Sequence, residues 1–375
     1  MRKEEIRGLI VYSILIAVAL IVGLTAIADS MYSYAPKMNQ FLFVLIVIAV
    51  SYLFNVIGHE LLHALGAVLG GYKVVSINIL GLCFENNGER TKVCFREYSG
   101  LSGETKIAPG KKEKKNLNLF VWVPIFGYAI EAASAIAVMT SMRDIEVIKG
   151  QWLIPASILF ILISSMIAFY ELVPLRLDCE NDGYRMRLFA SSINVKAYNE
   201  MLNIQEMQRQ GKTIKNVTIF TEITEYTAEC NLYGIYVYLG QENYKKAEEI
   251  INILLDHKNK LSTTDTNRLI AQKLYVEILT KPLEEAKKTY DEITTSEVRR
   301  FIANDVSMEA IRAYILIAGM IEGSQGEVTY AQSRIKKAKK RALPSQIEVE
   351  EKLTKQAVDY VYKNHPKWVK ENAAE

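Results

Sequence analysis

Cysteine and histidine are both scarce in this chain, and the cysteine spacing excludes two familiar arrangements. The 375 residues include four cysteines and four histidines. The cysteines form no C-x-x-C pair and no pattern typical of a disulfide framework. Cys83 and Cys94 could face each other across a β-hairpin, and a cytosolic location would keep both thiols reduced.

A strong excess of one charge is also absent. The formal net charge is +3, which is too small to indicate a nucleic-acid-binding protein. No basic patch with interleaved aromatic residues occurs either, so we expect no nucleic-acid partner. Half of the residues are apolar, and the long apolar runs lie in the first half, whereas the second half is charged and poor in proline. This division predicts a membrane domain followed by a soluble one.

Four apolar segments are long enough to cross the hydrocarbon core of a bilayer as helices, which takes about 20 residues. They cover residues 8–28, 41–70, 117–140 and 152–173. A cleaved signal peptide is the alternative for the first segment. Its apolar run is longer than that of a signal peptide, so we interpret it as a retained transmembrane helix.

The distribution of lysine and arginine predicts the orientation of these helices. Three basic residues precede the first segment, one lies in the first link, nine lie in residues 71–116, and two lie between the last two segments. Loops rich in lysine and arginine stay in the cytosol. We therefore expect a multi-pass protein of a bacterial cell membrane, with both termini and residues 71–116 on the cytosolic side.

Residues 72–98 are partly alternating and rich in β-branched side chains, with Asn87-Gly88 between the two halves. Asn-Gly between such runs is a strong hairpin signal, so we predict a small β-hairpin. A hairpin beside a membrane site could hold a substrate as an added strand. The basic run at residues 111–115 is expected to contact anionic lipid headgroups.

The second apolar segment contains the sequence His59-Glu60-Leu61-Leu62-His63 near its far end. Histidines at positions i and i+4 lie on one helix face, where both can bind a single zinc ion, and the intervening glutamate is the usual general base. The alternative is that both histidines pack between helices, with Glu60 as a buried partner. Burial of three such groups in a bilayer is costly unless a metal compensates for it, which favours a metal site.

A catalytic zinc ion normally has three protein ligands. The only other histidines, His257 and His365, lie in the soluble half, so a carboxylate is the natural third ligand. Asp178 and Asp182 both follow the fourth apolar segment, at the membrane face that the histidine motif also approaches. The residues by themselves leave the choice between these aspartates open.

Residues 41–185 resemble the site-2 protease family of intramembrane zinc metalloproteases. The resemblance lies in the H-E-x-x-H helix and in a later Pro-containing segment that ends in Asp182-Gly183. It implies that His59, His63 and Asp182 are zinc ligands and that Glu60 is the catalytic base of peptide-bond hydrolysis. Membrane-embedded segments of proteins or peptide precursors are the implied substrates.

The chain also departs from this family's pattern. Glu171 stands where the family often has asparagine, and Asp182 lies further from Pro174 than is usual, whereas Asp178, at a more usual distance, is followed by cysteine. Glu131 occupies the place of a family asparagine that supports the substrate or the transition state. We expect Glu131 either to assist there or to pair with a polar group of another helix.

The charged half contains three similar stretches, which begin at Gly240, Pro282 and Gly326. Each places an alanine four residues before a larger side chain, as in the second helix of a tetratricopeptide repeat, but at intervals of 39 and 45 residues. The pattern predicts an α-helical array, either irregular or stacked as helical hairpins. Such an array is expected to bind a cytosolic protein or peptide partner.

Together these features predict a mainly α protein, a four-helix membrane bundle with a small β-hairpin followed by a soluble helical domain. We place an N-terminal helix and link at residues 1–40, an intramembrane metalloprotease core at 41–185, and the tetratricopeptide-like domain at 186–375. The predicted function is a zinc metalloendopeptidase. An inactive scaffold that recruits partners through the helical domain, and a zinc enzyme that acts on lipids or soluble peptides, are the alternatives.

Overall fold

The computed structural model describes residues 3–34, 39–86, 90–97, 103–112, 114–143, 152–176, 179–342 and 344–368. The described chain is mainly helical, with one small sheet. It divides into two compact units, residues 1–195 and 196–375. The division lies ten residues beyond the predicted boundary.

In its described residues, the first unit contains four helices that are long and apolar enough to cross a membrane. They are α1 (Lys3–Tyr34), α2 (Gln40–Leu69), α3 (Asn118–Arg143) and α4 (Leu153–Leu172). The predicted number of such helices is therefore confirmed. Helix α4 packs against the other three, and α2 also packs against α3.

The predicted hairpin is wrong in extent, because the described residues between 72 and 109 form a four-stranded antiparallel sheet. Its strands are β1 (Tyr72–Ile79), β2 (Leu82–Asn86), β3 (Thr91–Phe95) and β4 (Gly103–Pro109), in the order β3-β2-β1-β4. The residues predicted as the first strand of that hairpin form two strands, β1 and β2, which pair with each other as a hairpin. Leu80 and Gly81 both have positive φ, at 50° and 90°, and this conformation makes the tight turn between β1 and β2.

The hairpin formed by β2 and β3 aligns Cys83 directly with Cys94, as predicted. Both cysteines are free thiols. Strand β4 pairs with β1 on one side only, and no described strand pairs with its other edge. The start of β4 borders the site described below, because Gly103, Glu104 and Thr105 line its cavity and the Thr105 side chain contacts the histidine-bearing turn of α2.

Two further helices follow α4, namely α5 (Asp182–Phe189) and α6 (Ser192–Arg209). The side chain of Asn181 caps the N-terminus of α5 by accepting a hydrogen bond from the Tyr184 N–H group. Helix α6 runs across the division between the two units.

The regular elements in the described residues of the second unit are all helical. Its helices are α7 (Glu225–Gly240), α8 (Tyr244–Asp256), α9 (Thr263–Thr280), α10 (Leu283–Ile293), α11 (Ser296–Asn304), α12 (Met308–Leu316), α13 (Gln325–Lys339) and α14 (Pro344–Asn364), with a 3₁₀ turn at Lys258–Lys260 and a π-helical turn at Ile317–Ile321. A single apolar core runs through these helices.

The repeated alanines mark the contacts between helices. Ala247, Ala286 and Ala331 lie on α8, α10 and α13, and all three are fully buried. These helices pack against α7, α9 and α12, respectively, so that pairs of helices form, and α9 contacts both α8 and α12. The longer interval between the second and third repeats contains the additional helix α11, which explains the departure from a regular period.

Candidate metal centre

The two histidines of the motif lie side by side in the C-terminal half of α2. His59 and His63 are each only 4% exposed, and their Nε2 atoms are 3.1 Å apart. The spacing of four residues places both rings on one helix face, as expected from the sequence. Gly66, one turn later, allows α2 to approach α3 closely, since a Cβ atom at that position would lie 2.3 Å from the Leu119 carbonyl oxygen.

The third member of the cluster is Asp182, at the start of α5. Its Oδ2 atom lies 3.2 Å from Nε2 of His63 and 3.5 Å from Nε2 of His59. The carboxyl group is 2% exposed. Among the described residues, these three side chains form a buried group that could hold a metal ion. Asp178, the alternative ligand, lies outside the described residues.

The Nδ1 atoms of His59 and His63 face away from the cluster and contact groups of α3. Nδ1 of His63 lies 2.8 Å from the carbonyl oxygen of Phe120, which can only accept a hydrogen bond. Nδ1 of His63 therefore carries a proton, which leaves Nε2 as the ring nitrogen that faces the cluster and can bind a cation when it is unprotonated. Nδ1 of His59 lies 3.0 Å from the hydroxyl group of Tyr128. Such contacts to the outer nitrogen are typical of histidines that bind metals.

The geometry of the three inner atoms fits a bound metal ion. They form a triangle with edges of 3.1, 3.2 and 3.5 Å. Tetrahedral coordination with bonds of about 2.0–2.1 Å would place ligand atoms about 3.3–3.4 Å apart. Oδ2 of Asp182 makes no hydrogen bond although it is buried. A metal ion can bind all three converging atoms at once, whereas one shared proton bridges only two of them.

Electrostatics keep the aspartate ionised. Burial by itself would raise the pKa of Asp182, but the protonated form of the His63 imidazole, which can donate to the carboxylate, and the nearby Arg185 hold the pKa below its ordinary value. The side chain is therefore a carboxylate, which is the form that binds a cation.

Asn181 positions this aspartate through several hydrogen bonds. Its Nδ2 group donates to the carbonyl oxygens of Tyr170 and Val173, at the end of α4. Its Oδ1 atom accepts hydrogen bonds from the N–H groups of Leu175 and Tyr184. The segment between α4 and α5 is thereby folded back so that Asp182 reaches the turn of α2 that carries the histidines.

Two further features hold the start of α5 against the end of α4. Oε2 of Glu171 accepts a hydrogen bond from the N–H group of Asp182 over 3.2 Å. A Cβ atom at Gly183 would lie 2.3 Å from the carbonyl oxygen of Leu172, so only glycine allows this approach. Glu171, which departs from the family pattern, thus supports the backbone of the candidate ligand.

Glu60 lies beside the cluster and is held by the sheet. It is 2% exposed and lines the same cavity of about 130 Å³ as His59, His63 and Asp182. Oγ1 of Thr105, on β4, donates hydrogen bonds to Oε2 of Glu60 at 2.6 Å and to its carbonyl oxygen at 3.2 Å. The carboxylate is therefore fixed in orientation next to a space large enough for water.

Glu131 is not part of this constellation. It does not line the metal cavity but a second cavity between α2, α3 and α4, next to Gly58. The structure therefore brings together four of the five candidate residues, namely His59, Glu60, His63 and Asp182, and separates Glu131 from them.

Three contributors to the site were not predicted from the sequence. Thr105 lies outside the predicted hairpin, and Tyr128 lies within the apolar segment 117–140. Asn181 carried a usable signal, because asparagine directly before Asp-Gly and a charged helical segment is a typical helix cap. Thr105 and Tyr128 carried none, since their contacts join residues 45 and 69 positions apart.

Comparisons of the chain with protein-family models, with curated proteins and with solved structures found no match. The function is therefore argued from the chemistry of the site itself.

Proposed function

We propose that this protein is an intramembrane zinc metalloendopeptidase that cleaves membrane-embedded segments of proteins or peptide precursors. The observation that carries the proposal is the convergence of His59, His63 and Asp182 beside the oriented carboxylate of Glu60. Two imidazoles and one carboxylate are a ligand set of catalytic zinc sites, which leave further positions for water or substrate. The resemblance to site-2 proteases supports the same conclusion.

A bound zinc ion would supply Lewis acidity, which polarises the scissile carbonyl and lowers the pKa of water in the site. Glu60 accepts a proton from the attacking water as the new C–O bond forms, and it returns the proton to the leaving amine as the C–N bond breaks. Thr105 keeps Oε2 of Glu60 in place for both transfers. Tyr128 and the Phe120 carbonyl hold the two imidazoles in the orientation that ligation needs.

The open edge of β4 provides a way to present the substrate. A peptide bond within a helix is shielded by its own hydrogen bonds, so a transmembrane segment has to be locally extended before cleavage. An extended segment can pair with the free N–H and C=O groups of β4, next to Glu60. We infer that β4, rather than the predicted hairpin as a whole, performs this task.

The surroundings of the site support a membrane location. The cluster lies near the C-terminal end of α2, a helix apolar enough to cross a bilayer. From the distribution of lysine and arginine, we propose that this end, the sheet and both termini lie on the cytosolic side of the membrane, which we take to be a bacterial cell membrane. We propose that the helical second unit binds a cytosolic protein or peptide partner there.

The deciding experiment compares the wild type with Glu60→Gln, purified in parallel, for bound zinc and for cleavage of a transmembrane reporter peptide. Glu60 is not a candidate ligand, so we expect both proteins to contain zinc and only the wild type to cleave. Glu104→Gln is a matched control, because Glu104 lines the same cavity but pairs with Lys106 at the surface. Equal cleavage by wild type and Glu60→Gln would exclude the proposal and favour a non-catalytic scaffold.

A further inference from the structure

A second cavity lies between α2, α3 and α4 and is separate from the metal cavity. Its volume is about 780 Å³. Gly58, Leu61 and Leu62 line it, whereas the interleaved residues His59, Glu60 and His63 line the metal cavity. One turn of α2 therefore forms a wall of both cavities.

The second cavity is open to the apolar exterior of the helices. Phe54, Leu61 and Ile130 line it, and these side chains are 57%, 52% and 66% exposed, respectively. In a membrane this surface would face lipid, and a helix moving within the bilayer could enter the cavity from the side.

A single carboxyl group interrupts the apolar wall. Glu131 is half-buried, and its Oε2 atom is buried without a hydrogen-bond partner among the described residues. Gly58 makes room for the group, since a Cβ atom there would lie 3.3 Å from Oε1 of Glu131. The other side chains of the lining that can form hydrogen bonds are three serines and Trp152, and none of them reaches Oε2 of Glu131. Ser134 donates its hydroxyl proton to the Ile130 carbonyl oxygen within α3.

A carboxyl group in this position needs a partner. Ionisable groups inside a membrane are costly unless they are paired, and they are typical of functional sites. No lysine, arginine or histidine lines the cavity in the described part of the chain. The missing hydrogen-bond donor is therefore expected to come from the molecule that fills the cavity.

We propose that this cavity docks the transmembrane segment of the substrate. Glu131 then selects segments that carry a lysine, arginine, asparagine or glutamine at the same depth in the membrane as Glu131 itself. This inference rests on the proposed protease function. Charge complementarity to Glu131 favours such a transmembrane segment over a lipid acyl chain, because an acyl chain has no hydrogen-bond donor. The shared turn of α2 places a docked segment directly beside the cavity that contains Glu60. Glu131 is thus a specificity-determining residue and not a catalytic one.

The test is photo-crosslinking of the full chain with Glu60→Gln, in lipid nanodiscs, with a benzophenone amino acid in place of Phe54. The probes are biotinylated leucine–alanine transmembrane peptides with lysine, asparagine or leucine at the central position, since Glu131 lies near the middle of α3. We expect the lysine and asparagine peptides to crosslink about ten times more than the leucine peptide, as an interhelical hydrogen bond of about 1–2 kcal/mol implies. Glu131→Leu is expected to abolish this preference.

A second crosslinker position controls for non-specific contact. Val22 on α1 is 64% exposed and does not line the cavity. Here the three peptides should crosslink equally. Equal yields at position 54 with Glu131 intact, or a preference that survives Glu131→Leu, would overturn the proposal. Crosslinks to lipid or to a second copy of the chain in place of the peptide would also overturn it.

This assay needs neither bound zinc nor peptide cleavage. Failure of docking would therefore leave the zinc and cleavage results for Glu60→Gln unaffected. Evidence against the proposed protease function would appear in the zinc and cleavage measurements and not in the crosslinking yields.

Discussion

Thr105 of β4 donates a hydrogen bond of 2.6 Å to Oε2 of Glu60 on α2, across 45 positions of sequence. The contact ties the edge strand of the sheet to the candidate general base. It also holds the start of β4, the edge strand with which an extended peptide could pair, at the cavity that contains the candidate catalytic carboxylate.

Replacing Thr105 tests whether this contact orients the base. Thr105→Val keeps the shape but removes the donor, so we expect kcat to fall about 10–100-fold, as for other partners one step removed from a metal site. KM and zinc content should change little. Steady-state cleavage of a reporter peptide measures the effect, and Thr105→Ser, which retains the hydroxyl group, should restore most of the activity. Full activity in Thr105→Val would contradict a role for the contact.

The choice between the two aspartates can be decided from metal content. Asp182→Ala removes the carboxylate that faces both histidines, so we expect zinc affinity to fall by more than about 100-fold. Asp178→Ala is the matched variant and should retain zinc. Metal analysis of both purified proteins after dialysis against a weak chelator is the measurement. Loss of zinc in Asp178→Ala alone would assign the third ligand to Asp178.

Glu171 is expected to act on the metal through the backbone of Asp182. Glu171→Leu removes the acceptor for the Asp182 N–H group, and we expect zinc affinity to fall about 10–100-fold. Glu171→Gln keeps an acceptor oxygen and should have a smaller effect. Competition with a fluorescent zinc chelator gives both affinities. The same affinity in Glu171→Leu as in the wild type would show that the hydrogen bond is unimportant.

Arg312 is a buried cation in the second unit. It is 1% exposed, and its guanidinium group donates to Glu350 and Gln272 and lies over the ring of Tyr275. Arg312→Leu leaves Glu350 without its counter-charge, which should cost about 3–5 kcal/mol. Hydrogen–deuterium exchange of the amides of α9 and α12 would measure this loss of stability. Adding Glu350→Leu should recover most of it, and no recovery would refute the pairing argument.

The stability of the second unit should also depend on pH through Glu322. Burial by itself would raise the pKa of Glu322, but hydrogen bonds from Arg299 and Tyr290 outweigh it and lower the pKa below 4.5. A lowered folded-state pKa contributes stability above the unfolded value, and this contribution is lost as the pH falls through the folded value. We expect exchange protection around Tyr290, corrected for intrinsic rates, to fall below about pH 4.5. Glu322→Gln should remove this dependence, and an unchanged pH profile would contradict it.

Local patterns in the sequence predicted much of the fold. The four apolar segments predicted four long helices because length and hydropathy are properties of contiguous residues. The alanines at 247, 286 and 331, each four residues before a larger side chain, predicted a helical array, and all three are buried in it. The sheet was harder, because Leu80-Gly81 is a less distinctive turn than Asn-Gly, and β4 follows a break in the pattern.

The sequence by itself determined that His59 and His63 share a helix face with Glu60 between them, since four residues make about one helical turn. It also confined the third ligand to two aspartates after the fourth helix. Only the tertiary structure decided which described carboxylate reaches the histidines, that Thr105 holds Glu60, and that Glu131 faces a different cavity. Those outcomes depend on how separate helices and strands pack, and no local periodicity encodes such long-range contacts.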